Sequence, residues 1–140
     1  VSWTAVEIRQ EASRDLLGLH AVDSVCANFL TLPPPPHPYQ VVITNPPFSL
    51  AMQFVQACLP ISTNVVMLLR LNFLASESRS GFMRDTKPNV YVLPNRPSFV
   101  RGGKTDSIEY AWFHWYPGAE GIVRVLPTTP AAERKRQALP

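Results

Sequence analysis

Short runs of β-branched and aliphatic residues alternate with segments of mixed polarity over most of this chain. The alternation predicts strands over residues 4–8, 23–26, 39–44, 65–69, 89–93, 107–115 and 121–126. One of them, Val65-Val66-Met67-Leu68-Leu69, is an unbroken apolar run, the pattern of a central strand covered on both faces. Helical spacing lies between the strands. It is weak over residues 11–19, with Ala12, Leu16 and Leu17 on one side. It is clearer after Ser49, a candidate N-cap, where Leu50, Ala51, Phe54, Val55 and Cys58 share a face and Pro60 closes the helix. Residues 76–85 are polar and helical in spacing, although Gly81 weakens the pattern. Strands alternating with helices predict an α/β fold with a largely parallel sheet. The last two strands, joined by a Gly-containing loop, predict an antiparallel hairpin at one edge.

Composition adds limits. A chain of 140 residues, 46% hydrophobic, is long enough for one domain with a real core, expected over residues 1–126. Residues 127–140 carry no periodic apolar positions and are expected to form a disordered tail. No apolar run approaches the roughly 20 residues that a membrane-spanning helix requires. The net charge of +3 permits a polyanionic partner without demanding one. Cys26 and Cys58 lack metal-type spacing and are expected to be buried free thiols of an intracellular, cytoplasmic protein. The fifteen prolines cluster at 33–38, 46–47 and 127–140. The first cluster predicts an extended surface connector, with His37 solvated inside it.

Chemistry is expected just beyond the carboxyl ends of the strands, where open α/β sheets place their ligands. Glu7 ends the first strand, as a ribose-binding acid or as an ordinary solvated carboxylate. Asn28-Phe29 ends the second, as an edge and a face for a purine or as a turn amide beside a core ring. Val41-Val42-Ile43-Thr44 runs directly into Asn45-Pro46-Pro47-Phe48. Each proline fixes its own φ and removes a backbone donor, so the tip is rigid and presents acceptors. Three consecutive strand ends thus carry an acid, an amide with an aromatic ring, and an acceptor-rich tip.

In these features, residues 4–115 resemble the S-adenosylmethionine-dependent amino-methyltransferases, in particular the phage and bacterial DNA adenine-N6 methyltransferases. Asn45-Pro46-Pro47-Phe48 looks like the family's catalytic motif. Leu69-Arg70-Leu71-Asn72-Phe73-Leu74-Ala75-Ser76 looks like the segment after its fifth strand. Leu93-Pro94-Asn95-Arg96-Pro97-Ser98-Phe99, Thr105-Asp106 and Tyr110-Ala111-Trp112-Phe113-His114-Trp115 resemble its closing hairpin. The resemblance implies a class I methyltransferase-like, Rossmann-like fold and S-adenosylmethionine as cofactor. It implies that Glu7 and Ile8 hold the cofactor ribose and that Asn28 and Phe29 hold its adenine. Asn45 and Pro46 would accept the two N–H bonds of a target amine, with Pro47 stiffening the tip and Phe48 stacking on an adenine flipped from DNA. No metal and no general-base histidine is required, so His20 and His114 are expected to be structural. Close relatives of the motif serve rRNA guanine-N2 and protein glutamine enzymes. Methylation of an RNA base or of another amino group is therefore an alternative, as is a non-catalytic remnant that binds nucleic acid.

Arg96, Arg101 and Lys104, in the loop before the closing strands, are candidates for phosphate contact; a solvated basic loop is the alternative. The stripe of Tyr110, Trp112, Phe113, Trp115 and Tyr116 is expected to be core. Two departures from the family pattern stand out. Only Val1-Ser2-Trp3 precede the strand of Glu7, so the Gly-rich loop that cradles the methionine portion is not found here and the chain is expected to be the later part of a longer enzyme. The strands of Glu7 and Asn45 are accordingly expected to lack the partner they would share. Asn28 also stands where many relatives have Asp.

Overall fold

The structure, a computed structural model, describes residues 2–18, 22–95, 97 and 108–128. They belong to two compact units, Val1–Pro36 and His37–Pro140.

In the first unit, strand β1 (Trp3–Glu7) and strand β2 (Val22–Cys26) pair in parallel, with Glu7 opposite Cys26. Parallel neighbours need a crossover, and helix α1 (Gln10–Leu17) lies in it. The helix docks through polar atoms. The Ser13 and Ser24 hydroxyls lie 2.8 Å apart, and the Ser24 hydroxyl donates to the Ser13 carbonyl at 3.0 Å. Ser13 is the only buried residue among those described in this unit, and Leu17, expected on the packed face, is 63% exposed. Cys26 is also exposed, contrary to the expected buried thiol: it ends β2 where the chain leaves the strand. Two strands and a two-turn helix do not enclose an apolar core.

The second unit holds strands β3 (Val42–Thr44), β4 (Val65–Arg70), β5 (Asn89–Val92), β6 (Tyr110–Trp115) and β7 (Val123–Val125), in the order β3-β4-β6-β5-β7. β4 is parallel to β3 and antiparallel to β6. Its buried residues include Val65, Met67, Leu68 and Leu69, so the apolar run is the covered central strand its sequence predicts. Helix α2 (Ala51–Cys58) buries Ala51, Val55 and Cys58, spaced along one face. Burial pushes the Cys58 thiol up to about 12. Helix α3 (Glu77–Thr86) is tied to β6 by the Trp115 indole N–H, which donates to the Thr86 hydroxyl at 3.1 Å. Buried Asn89 is satisfied at both ends of its amide. It donates to the Tyr116 hydroxyl at 2.8 Å and accepts the Ile122 N–H at 3.0 Å.

Several expectations are corrected in detail. β3 is shorter than residues 39–44, because the Gln40 carbonyl is taken by the side chains of Thr63 and Asn64 instead of by a ladder. Tyr39 keeps only an isolated bridge to Ser62. Ser49 does not cap a helix. Pro47 remains extended and its carbonyl accepts the Leu50 N–H at 2.9 Å, so a 3₁₀ turn (Phe48–Leu50) precedes α2 and Leu50 takes the cap position. The antiparallel pairing at the C-terminal end is present, between β5 and β6, but β7 runs parallel to β5. Both edges of β6 are already occupied by β4 and β5, so β7 has no edge of β6 to join. The strands fall into two sheets, with β1 and β3 in different ones. Among the described residues no helix is long and apolar enough to cross a membrane.

Phe113 is fully buried, edge-on to Phe73 and stacked on Trp115 at 5.9 Å between centroids. Phe113→Ala is expected to cost about 3–5 kcal/mol in urea denaturation, whereas Val125→Thr, at a residue 71% exposed, should stay within about 0.5 kcal/mol.

Candidate functional site

The parallel register of β3 on β4 sets Thr44 beside Met67, so both chains leave the sheet on the same side. Asn45 follows immediately and is exposed; Pro46 is buried, Pro47 exposed and Phe48 half-buried. Among the described residues nothing hydrogen-bonds to the Asn45 side chain or to the Pro46 carbonyl. The two acceptors named by the sequence motif are therefore both unclaimed. The prolines explain why: neither carries an N–H to draw the chain into the ladder, and the next backbone bond forms only at Pro47.

Phe48 is held from two further strands. The Arg70 guanidinium, at the end of β4, lies over its ring with Cζ 4.3 Å from the centroid. Tyr110, which pairs with Arg70 across the β4–β6 ladder, sits with its ring 5.5 Å from Phe48 and tilted by 46°. One face of Phe48 is thus taken by a cation, with the Tyr110 ring packed beside it. A cavity of about 400 Å³ adjoins this ring, lined by Phe48, Met52, Arg70, Asn72, Phe73 and Arg79 among others. Arg79 on α3 donates from Nε to the Phe73 carbonyl at 3.1 Å and from Nη2 to the Asn72 carbonyl at 3.4 Å, with its guanidinium over the Phe73 ring.

In the first unit, Glu7 lies at the carboxyl end of β1, but its carboxylate is engaged. Oε1 accepts the Arg9 backbone N–H at 2.9 Å and the Arg9 Nε–H at 3.0 Å, and Oε2 accepts from Nη2 at 3.0 Å. The side-chain hydrogen bonds from Arg9, with its backbone N–H and charge, hold the carboxyl down at about 2. An ionised carboxylate offers about four acceptor sites. Three donors leave room for one ribose hydroxyl, and a second requires Arg9 to move. Ile8 is 66% exposed. Asn28 caps the 3₁₀ turn Phe29–Thr31, its Oδ1 accepting the Leu30 N–H at 3.1 Å. Its amide NH₂ remains for a ligand. The free acceptor of Glu7 and donor of Asn28 are of the kind the adenosine portion of S-adenosylmethionine takes; among the described glycines, none follows β1, β2, β3 or β4 in a Gly-rich loop that would cradle the methionine portion.

Arg96, Arg101, Lys104 and His20 lie outside the described residues, as does the expected tail from residue 129 onward. The His114 ring lies 3.1 Å from the Asn64 side-chain oxygen and against Tyr116, and burial lowers its pKa. Among the described residues, no group of three or more His, Cys, Asp or Glu is placed to hold a metal ion. Arg70, Asn72 and Arg79 carried no functional expectation. Polar residues directly after a fully apolar strand were the available signal for the first two; nothing in the spacing of 76–85 distinguished Arg79.

No protein-family model and no curated protein matches the sequence. Among solved structures, the chain is similar to 23S rRNA methyltransferase ErmE, with 21% identity and a TM-score of 0.62 over 98% of this chain. It spans 58% of the ErmE chain. The fold is the class I methyltransferase-like α/β fold that the motifs imply.

The Glu7–Arg9 clasp is directly testable. In a carboxyl NMR titration, Glu7 should titrate at about 2, and in Arg9→Ala it should rise part of the way towards 4.5, because the backbone N–H of residue 9 still donates to the carboxylate. Because the folded-state pKa is the lower one, any stability the clasp contributes is present above pH 4.5 and is lost as pH falls towards 2.

Proposed function

We propose that the Asn45 tip serves methyl transfer from S-adenosylmethionine to the N6 amine of adenine in DNA, in the cytoplasm of a bacterial or phage-infected cell. One observation carries this reading: two adjacent acceptors, the Asn45 side-chain oxygen and the Pro46 carbonyl, stand unclaimed at a proline-stiffened strand end beside an aromatic ring.

An exocyclic amine conjugated to a purine is a poor nucleophile. When Asn45 Oδ1 and the Pro46 carbonyl accept its two N–H bonds, the nitrogen is drawn towards sp³ geometry and its lone pair is freed from the ring. Positive charge that builds on nitrogen as the new bond forms then meets acceptors already in place. Phe48 holds the base plane with its ring. Pro46 and Pro47 keep the acceptors from relaxing, so alignment is supplied by the folded chain. Glu7 and Asn28 bind the ribose and adenine of the cofactor. S-adenosylmethionine, when bound, supplies an electrophilic methyl group.

Methylation of an RNA base is the second reading, favoured by the likeness to an rRNA methyltransferase. Labelled methyl from S-adenosylmethionine, offered to DNA and to rRNA, separates the two; label in N6-methyladenine of DNA is expected, and label only in RNA would sink the DNA assignment. Asn45→Ala should lower methyl transfer by at least 100-fold, about 2.7 kcal/mol of transition-state stabilisation, with S-adenosylmethionine affinity unchanged by calorimetry. Retained activity would remove Asn45 from the mechanism.

A further inference from the structure

We infer that the cavity beside Phe48 is an anion site that holds a backbone phosphate of the nucleic-acid substrate next to the target base. The inference rests on the reading that the Asn45 tip takes a nucleobase. The cavity lies wholly within the second unit, enclosed by the start of α2, the turn after β4, and α3. Two guanidinium groups line it, those of Arg70 and Arg79, and among the described residues no acidic one does. Among the described residues neither arginine is in an ion pair.

The two arginines differ in how far they are satisfied. Arg79 is anchored to the Phe73 and Asn72 carbonyls through Nε and Nη2. The Arg70 side chain makes no hydrogen bond among the described residues; its Nε is buried without a partner, and its two Nη groups are neither buried nor paired. The groups an oxyanion in the cavity can reach are the Arg70 Nη atoms, and a bound oxyanion neutralises both cations. A guanidinium lying over a ring leaves its N–H edge free to point sideways. Arg70 over Phe48 and Arg79 over Phe73 are both held in this way. Planar forks of this kind match the oxygens of a phosphate. About 400 Å³ is ample for a phosphodiester group. Phe48 belongs both to the Asn-Pro-Pro-Phe tip and to the cavity wall, so an anion bound here lies one ring away from the base site. That proximity favours a phosphate of the substrate strand over a free anion.

The test is equilibrium binding of a fluorescent, adenine-containing single-stranded oligonucleotide across a salt series, without methyl donor. Each neutralised phosphate contributes about 0.7 to the slope of log K against log salt for a single strand. Arg70→Gln is expected to reduce the slope by about 0.7, whereas Arg70→Lys, which keeps the charge, and Asn45→Ala should keep it. Inorganic phosphate should compete with the oligonucleotide for the parent chain and lose that effect in Arg70→Gln. An unchanged slope in Arg70→Gln overturns the inference, including the case in which inorganic phosphate still binds and the site is one for free anions. A reduced slope with equal affinity for adenine- and purine-containing oligonucleotides keeps the phosphate site and removes the assignment of the Asn45 tip to an adenine amine. Methyl transfer to DNA with an unchanged slope does the reverse.

Discussion

Strand β4 is the element on which every functional position in the second unit depends. It is covered on both faces and paired on both edges, parallel to β3 and antiparallel to β6. Parallel pairing delivers the Asn45 tip and Arg70 to the same end of the sheet. Antiparallel pairing brings the start of β6 to that end as well, so Tyr110 meets Arg70 and both meet Phe48. A one-residue slip of β3 would turn its side chains to the opposite face and carry the tip away from Arg70.

At the end of that strand the chain presents polar groups that no other part of the described protein engages. The Asn45 oxygen, the Pro46 carbonyl and Arg70 Nε all lack protein partners among the described residues. Two acceptors suited to an amine precede Phe48 in the chain, and a guanidinium suited to an oxyanion lies over its ring. Unsatisfied groups of opposite character around one aromatic ring suit a ligand that carries both, as a nucleotide does. The first unit shows the contrary habit. Glu7 and Asn28 are engaged by their own neighbours, through Arg9 and Leu30, and must share or exchange those bonds to hold a ligand.

Much of this was legible in the sequence, and the reasons for the rest are physical. The run from Val65 to Leu69 announced a central strand because burial on both faces leaves no polar position. The tip was visible because two prolines after an Asn have a backbone consequence wherever they occur. Pairing partners were not visible: the loop between β6 and β7 suggests a hairpin, and only the prior capture of both β6 edges sends β7 to β5. Ser49 has the chemistry of a cap, yet Pro47 decides where the helix begins. Cys26 is apolar by type but stands at an open strand end. Arg70 was hidden because its meaning lies in what it lacks, a partner, and a sequence does not display missing partners.

The two unclaimed acceptors of the tip call for an amine with two N–H bonds. The most direct measurement compares binding of short oligonucleotides that differ at one base: adenine, purine without the amine, and N6,N6-dimethyladenine. Two hydrogen bonds at about 0.5–1.5 kcal/mol each amount to roughly tenfold in affinity. Adenine should therefore bind about tenfold more tightly than either analogue, and Asn45→Ala should erase much of the difference. Equal affinity for all three bases in the parent chain would contradict the assignment of the tip.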